Sequence, residues 1–134
     1  MEKKLKHLEM IQGTINRMAQ CSFLLKGWNV ILISALFALA AKDSNILFIY
    51  LAFFPAIAFW ALDGYYLYQE RLFRNLYDKT KDIDESKVDF SMNTSALEGL
   101  NEATWIEAIF SRTMIIFHGA IITTVLIIML ISLF

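Results

Sequence analysis

His118 is the one ionisable side chain in the closing run of the chain, TMIIFHGAIITTVLIIMLISLF (Thr113–Phe134), which holds no acid, lysine or arginine. It lies about six residues, or about 9 Å, inside a helix of that run, where an imidazole has to face protein or water because lipid does not solvate it. Ser111, His118, Val125 and Ser132 recur every seven residues and so share one helical face. Two uses fit that face. It can line a pore, with His118 as a proton-sensitive gate, or it can hold a neutral imidazole bonded to a neighbour's carbonyl or hydroxyl. Lys26, Asp63 and Arg112 stand at the edges of the apolar runs. Lys26 precedes Lys42 by sixteen residues and Asp63 follows Ile46 by seventeen, each about 24–26 Å from the turn between them. With Arg112 opening the last run, this spacing predicts a charged layer at one mouth of a helix bundle. Such a layer either pairs ions to fix helix register, or selects and gates ions in an oligomer.

A second set of residues is basic and interleaved with aromatics: Lys3, Lys4, Lys6, His7, Arg17, Arg71, Arg74, Lys79 and Lys81, with Phe73 and Tyr77. Cations beside a membrane contact lipid headgroups. The same residue types also hold an anionic ligand such as a nucleotide or a short single strand, cations taking the phosphates and aromatics stacking the bases.

Three apolar runs have to position these groups. Thr113–Phe134, at 1.5 Å per residue, covers about 33 Å, enough to cross a hydrocarbon core of about 30 Å. The first run spans 23–41, with Lys26 and Trp28 at its boundary and a small-residue strip, Ser34, Ala38 and Ala41, suited to close helix approach. Lys42-Asp43-Ser44-Asn45 is a polar turn. The second run spans 46–64, with Pro55 at its middle predicting a kink. Ala38-Leu39-Ala40 has the small residues of a signal cleavage site, but twenty-six residues of charged, helix-patterned sequence precede the run, so it reads as a retained span.

Outside the spans, Leu8, Ile11, Ile15 and Met18 mark residues 1–22 as an amphipathic helix with one narrow apolar stripe, Leu5 alongside. That stripe suits the membrane surface, its own subunit, or a short seam between subunits. Leu62, Tyr65, Gln69, Leu72 and Leu76 continue one face beyond the second span, so 65–112 is predicted as a helical extension, an acidic loop and a further helix. Ser95 and Glu98 have capping-box spacing, and the helix they start is expected to run through Arg112 into the third span. The loop acids lack the glycine and closing glutamate of a calcium loop.

Composition fits this reading: the 134 residues are 57% hydrophobic and mean hydropathy is +0.51, high for a soluble chain. One cysteine excludes an internal disulfide, and with two histidines it makes no Cys/His zinc site. No P-loop, dinucleotide-binding glycine pattern or spaced nucleophile, base and orienter is present, so neither an enzyme, a metal nor a cofactor is expected. Of twelve basic residues, Lys3, Lys4, Lys6, Arg17, Lys26, Arg71, Arg74, Lys79, Lys81, Lys87 and Arg112 fall on one side of the predicted membrane and Lys42 alone on the other. The positive-inside rule then puts the N-terminus in the cytoplasm and the C-terminus across the membrane. The expected fold is an all-α membrane protein: one domain of three transmembrane helices with cytoplasmic helical extensions, assembling as an oligomeric bundle.

Two stretches, HLEMIQGTINRMAQCSFLLKGWNV (His7–Val30) and FWALDGYYLYQERLFRNLYD (Phe59–Asp78), resemble a family of small bacterial inner-membrane proteins from defence-type gene neighbourhoods, the membrane effectors of Hailong-like anti-phage systems among them. The resemblance implies a bacterial inner-membrane location with the C-terminus periplasmic. It also implies an oligomeric channel opened by a single-stranded DNA oligomer that a nucleotidyltransferase partner makes. From the residues, the function expected is an oligomeric channel or membrane-disrupting effector gated by a cytoplasmic anionic ligand. A non-conducting scaffold that anchors a soluble partner is the alternative. A holin fits less well, because familiar three-span holins place the N-terminus outside.

Overall fold

The computed structural model describes residues 2–43, 45–97 and 104–133, and all regular structure among them is helical. Helix α1 (Glu2–Asp43) and helix α2 (Leu47–Lys81) form an antiparallel hairpin; a short helix α3 (Trp105–Ile109) precedes helix α4 (Arg112–Leu133). The helices α1, α2 and α4 are each long and apolar enough to cross a membrane. At 1.5 Å per residue α1 measures about 63 Å and α2 about 52 Å, well beyond a hydrocarbon core of about 30 Å. The hairpin therefore extends past the membrane at its open end as a two-helix stalk. The amphipathic segment 1–22 and the span 23–41, read as separate elements, are one helix, and so are the span 46–64 and the first part of its extension.

Two apolar clusters sit at the two ends of the hairpin. In the stalk, Ile11 and Ile15 of α1 meet Leu72 and Leu76 of α2, with Leu97 of the returning chain closing the group. The pairs are four residues apart on both helices, so each presents one turn's worth of side chain to the other. The stripe seen in residues 1–22 thus packs within its own chain, while Leu5 at its start is exposed. In the membrane part, Ile33 and Ala40 of α1, Ile49, Ala52 and Ala56 of α2, and Val125 of α4 form the second cluster. Three alanines at the contact let backbones approach, the means by which helices associate in lipid. The strip Ser34, Ala38 and Ala41 faces away from this contact and is exposed, because the buried face of α1 runs through Leu25, Asn29, Ile33 and Ala40. Helix α2 continues unbroken through Pro55, which is itself buried.

The segment after α2 folds back along the stalk. Glu85 accepts hydrogen bonds from the backbone N–H groups of Lys3 (2.8 Å) and Lys4 (3.2 Å), capping the first turn of α1. His7, buried in α1, donates from Nε2 to the Ser91 carbonyl at 2.8 Å, and the Phe90 ring packs on its imidazole with a centroid distance of 5.6 Å. Ser44 of the expected turn and Glu98 of the expected capping pair lie outside the described residues; Ser95–Leu97 forms a single 3₁₀ turn.

The expected continuous helix into the third span is instead two helices. Thr104 caps α3 by accepting from the Glu107 N–H at 3.2 Å, and the helix ends at Ile109. The Trp60 indole N–H donates to the Ile109 carbonyl at 2.9 Å, engaging the oxygen that a continuing helix would offer to residue 113. The Trp105 indole N–H donates to the Ala61 carbonyl at 3.1 Å. These two bonds dock α3 on α2 at Gly64, where a Cβ would stand 2.6 Å from Ile109 Cγ1 and 3.2 Å from its Cα. Gly64→Ala should therefore push α3 off α2 by a few tenths of an ångström and cost about 1–3 kcal/mol. The check is thermal unfolding in detergent together with tryptophan emission. A lowered midpoint with red-shifted emission is expected, and an unchanged protein would show that α3 is not docked there.

Candidate functional site

Between the two apolar clusters, α1, α2 and α4 each contribute polar side chains to one point. Ser22 and Lys26 lie four residues apart on α1, hence on one face. Asp63 projects from α2 and His118 from α4. The Lys26 ammonium is 2.6 Å from Asp63 Oδ2. His118 Nε2 lies 2.7 Å from the same oxygen. Ser22 donates its hydroxyl to Asp63 Oδ1, and Lys26 donates to Ser22 Oγ at 2.9 Å. The side chains of Asp63 and His118 are fully buried, and that of Lys26 is 19% exposed.

Aromatic rings wall the cluster. The Trp60 indole lies parallel to the His118 imidazole at 5.9 Å, Phe117 meets it edge-on at 5.0 Å, and Lys26 Nζ stands 5.7 Å from the Phe117 ring centre. A Lys26 ammonium and an Asp63 carboxylate cancel, so a neutral imidazole leaves the cluster without net charge. Its Nε2–H then donates to Asp63, and Nδ1 is left as the acceptor nitrogen. Nδ1 of His118 is buried without a partner, as are both amide atoms of Asn29, one turn deeper on α1, and Ser111 Oγ. Asp63 stands between the hydroxyl and the imidazole, an order unlike that of a nucleophile activated by a histidine base.

The expected layer of Lys26, Asp63 and Arg112 thus contains Lys26 and Asp63, with His118 in the third place. Arg112 is exposed at the start of α4, six residues or about 9 Å from His118 towards the stalk. Along the seven-residue stripe of α4, His118 and Val125 are buried against the hairpin. Ser132 is exposed at the far end and donates to the Ile128 carbonyl at 2.9 Å. The middle of the stripe, His118 and Val125, faces its own chain, and Ser132 does not.

The basic residues spread over several faces of the stalk. Arg74 and Tyr77 line one cleft of about 280 Å³ with Gln12 and Asp78. Lys79 lines another of about 190 Å³ with His7 and Lys87. Arg71 and Arg112 line a third, of about 380 Å³, with Lys26. Phe73 packs on the stalk core. Arg74 is paired with Glu70 at 2.9 Å, Lys81 lies 3.8 Å from Asp78 and Lys6 3.9 Å from Glu9. Arg17 donates to Thr14 Oγ1 at 3.0 Å, while Lys3 and Lys4 engage Glu85 through their backbones. Sequence reasoning passed over Ser22, Asn29 and Trp60. The spacing Ser22–Lys26–Asn29 on one face of α1 was the signal available for two of them.

Fold and composition define the class: an all-helical membrane protein in which one carboxylate ties together all three long helices. No protein-family model, curated protein or solved structure matches the chain.

Removing one member of a buried ion cluster strands the others, whereas replacing the pair by apolar side chains removes the desolvation cost as well. Asp63→Leu should destabilise the bundle by about 3–5 kcal/mol, and adding Lys26→Met should recover at least half of that loss. Unfolding in detergent, followed by circular dichroism for the single and double variants, measures both. Additive losses would mean that the two charges are not coupled.

Proposed function

We propose that the chain is the subunit of an oligomeric membrane channel or membrane-disrupting effector. Three helices enclose no aqueous path, so conduction requires several copies. The observation that carries the reading is the burial of His118 of α4 against the hairpin, held by its hydrogen bond to Asp63. An imidazole held inward by a few polar contacts is releasable, since α4 can leave the hairpin once Asp63 is satisfied in another way. The ligand that biases this step is anionic and binds the stalk. Arg74 and Tyr77, brought together at one cleft, offer a cation for a phosphate and a ring for a base.

The resemblance of His7–Val30 and Phe59–Asp78 to defence-associated inner-membrane proteins supports a nucleotide or single-stranded DNA oligomer as that ligand. It also supports a nucleotidyltransferase as the partner that makes it, and anti-phage defence as the setting. Pooling of basic residues at the stalk end, against Lys42 alone at the other, supports a cytoplasmic N-terminus and a periplasmic C-terminus in a bacterial inner membrane.

The test is dye or ion flux from liposomes carrying the purified chain, with and without nucleotides and short single-stranded DNA, alongside native mass spectrometry in nanodiscs. An oligomer is expected, with flux that rises on adding one of these ligands. Arg74→Ala should raise the ligand concentration needed by about tenfold, and Asp63→Leu should leak without ligand. A monomer, or silence with every ligand while a soluble protein co-purifies, would reject conduction in favour of a scaffold. Asn29→Leu separates stability from function: removing an unpartnered buried amide should leave the melting point equal or higher. If Asn29 serves the open state, flux falls in the same variant; unchanged flux would exclude that role.

A further inference from the structure

Helix α3 is held along one side only. Ala108 is buried and Ile109 packs on Gly64 of α2. That turns Ile106 and Phe110, four residues apart and so on one face, to the outside. They are 70% and 61% exposed. The level of this face follows from helix rise. The docking points on α2, Ala61 and Gly64, lie fourteen and seventeen residues after its first residue, Leu47, or about 21–26 Å along the helix. Helix α4 starts at Arg112 and its 22 residues cover about 33 Å. Both measures put α3 at the stalk-side edge of a hydrocarbon core about 30 Å thick.

We infer that α3 is an in-plane membrane anchor in the stalk-side leaflet, with Ile106 and Phe110 among the upper acyl chains, the Trp105 and Tyr65 rings at headgroup level and Glu107 in water. The inference rests on the membrane location of the chain and not on conduction. Ring chemistry agrees with the level. Tyr65 meets Trp105 edge-on at 5.7 Å, with Tyr66 and Tyr68 at 6.0 and 6.2 Å from it, and tyrosine and tryptophan gather where a membrane meets water. The two flanks of α3 give the direction. Phe110 lies 6.4 Å from Trp60, which is on the membrane side of Gly64. Glu107 is exposed and opens on a cleft of about 430 Å³ that Phe110 lines together with Arg71, Ser111 and Arg112. Arg71 stands seven residues, or about 10 Å, to the stalk side of Gly64. Size decides between lipid and a second copy. A helix of five residues is about 7.5 Å long, and its outer face falls well short of the about 800 Å² that each partner buries in a stable contact. Lipid needs no such area. Because only Phe110 and Ser111 separate α3 from α4, an anchored α3 also sets the depth at which α4 starts.

The experiment is nitroxide accessibility on the full chain in vesicles of phosphatidylcholine and phosphatidylglycerol. Cys21→Ser provides the background, and one cysteine at a time is introduced and labelled: Ile106→Cys, Phe110→Cys and Glu107→Cys, with Ser86→Cys on the stalk and Ile116→Cys on α4 as references. Oxygen, which enters lipid, and a nickel chelate, which stays in water, compete to relax the label. Labels at 106 and 110 are expected to favour oxygen, about 5–10 Å into the boundary between headgroups and acyl chains. The label at 116 should lie deeper, and those at 107 and 86 should favour nickel. Relaxation by nickel at 106 and 110 would overturn the inference. Relaxation there by neither agent would also overturn it, since protein then covers the face, and broadening that disappears on dilution with unlabelled chain would identify that protein as a second copy. Ile106→Ser with Phe110→Ser should shift a label at Thr113→Cys towards water. An unchanged depth at 113 would overturn the anchoring of α4.

Discussion

A carboxylate inside an apolar bundle has to be matched by charge and hydrogen bonds, because lipid offers neither. Asp63 sets that requirement here, and each of its two neighbouring long helices supplies part of the answer. Ser22 and Lys26 come from α1 and His118 from α4. Van der Waals packing in lipid tolerates some sliding, since one apolar face resembles the next. A four-membered polar cluster does not, and it fixes the depth and rotation of all three helices at one level. It lies between the stalk core and the membrane core.

The stalk is built by a different logic. Its contacts are those of a soluble two-helix coil, a seam of Ile11, Ile15, Leu72 and Leu76, too short to hold alone. The returning segment supplies the rest: Glu85 caps α1, the Ser91 carbonyl accepts a hydrogen bond from His7, and Leu97 closes the apolar group. Every one of these contacts joins residues distant in sequence. The stalk therefore depends on the segment after α2 being folded against it.

Helix α3 shows how a local interruption serves the site. Trp60 and Trp105 bind it to the surface of α2 through backbone carbonyls, and Gly64 provides the room. The break after Ile109 lets α4 start afresh and enter the bundle with His118 facing Asp63. The same Trp60 covers the imidazole. One side chain thus ends the docked helix and shields the buried polar cluster.

How much of this was legible in the sequence follows from what each feature depends on. Three apolar runs of spanning length, the helical periodicity of 1–22 and 65–77, and the placing of Lys26 and Asp63 at one level are properties of composition and of the 1.5 Å rise, so the linear chain determines them. Direction along each helix was legible; rotation about it was not, since a helix apolar on every side has no face marked as inner. That is why the sequence did not tell that the Ser34–Ala38–Ala41 strip lies outside the contact of α1 with α2, and why the polar stripe of α4 suited a pore lining as well as an internal contact. The pairing of His118 with Asp63 was hidden for the same reason and one more. It spans 55 residues and depends on where α4 restarts, which Trp60 and Gly64 on another helix decide. The chain alone determined which segments prefer lipid; the fold decided which side of each segment meets the others, because only a three-dimensional arrangement brings a carboxylate within reach of the groups that neutralise it.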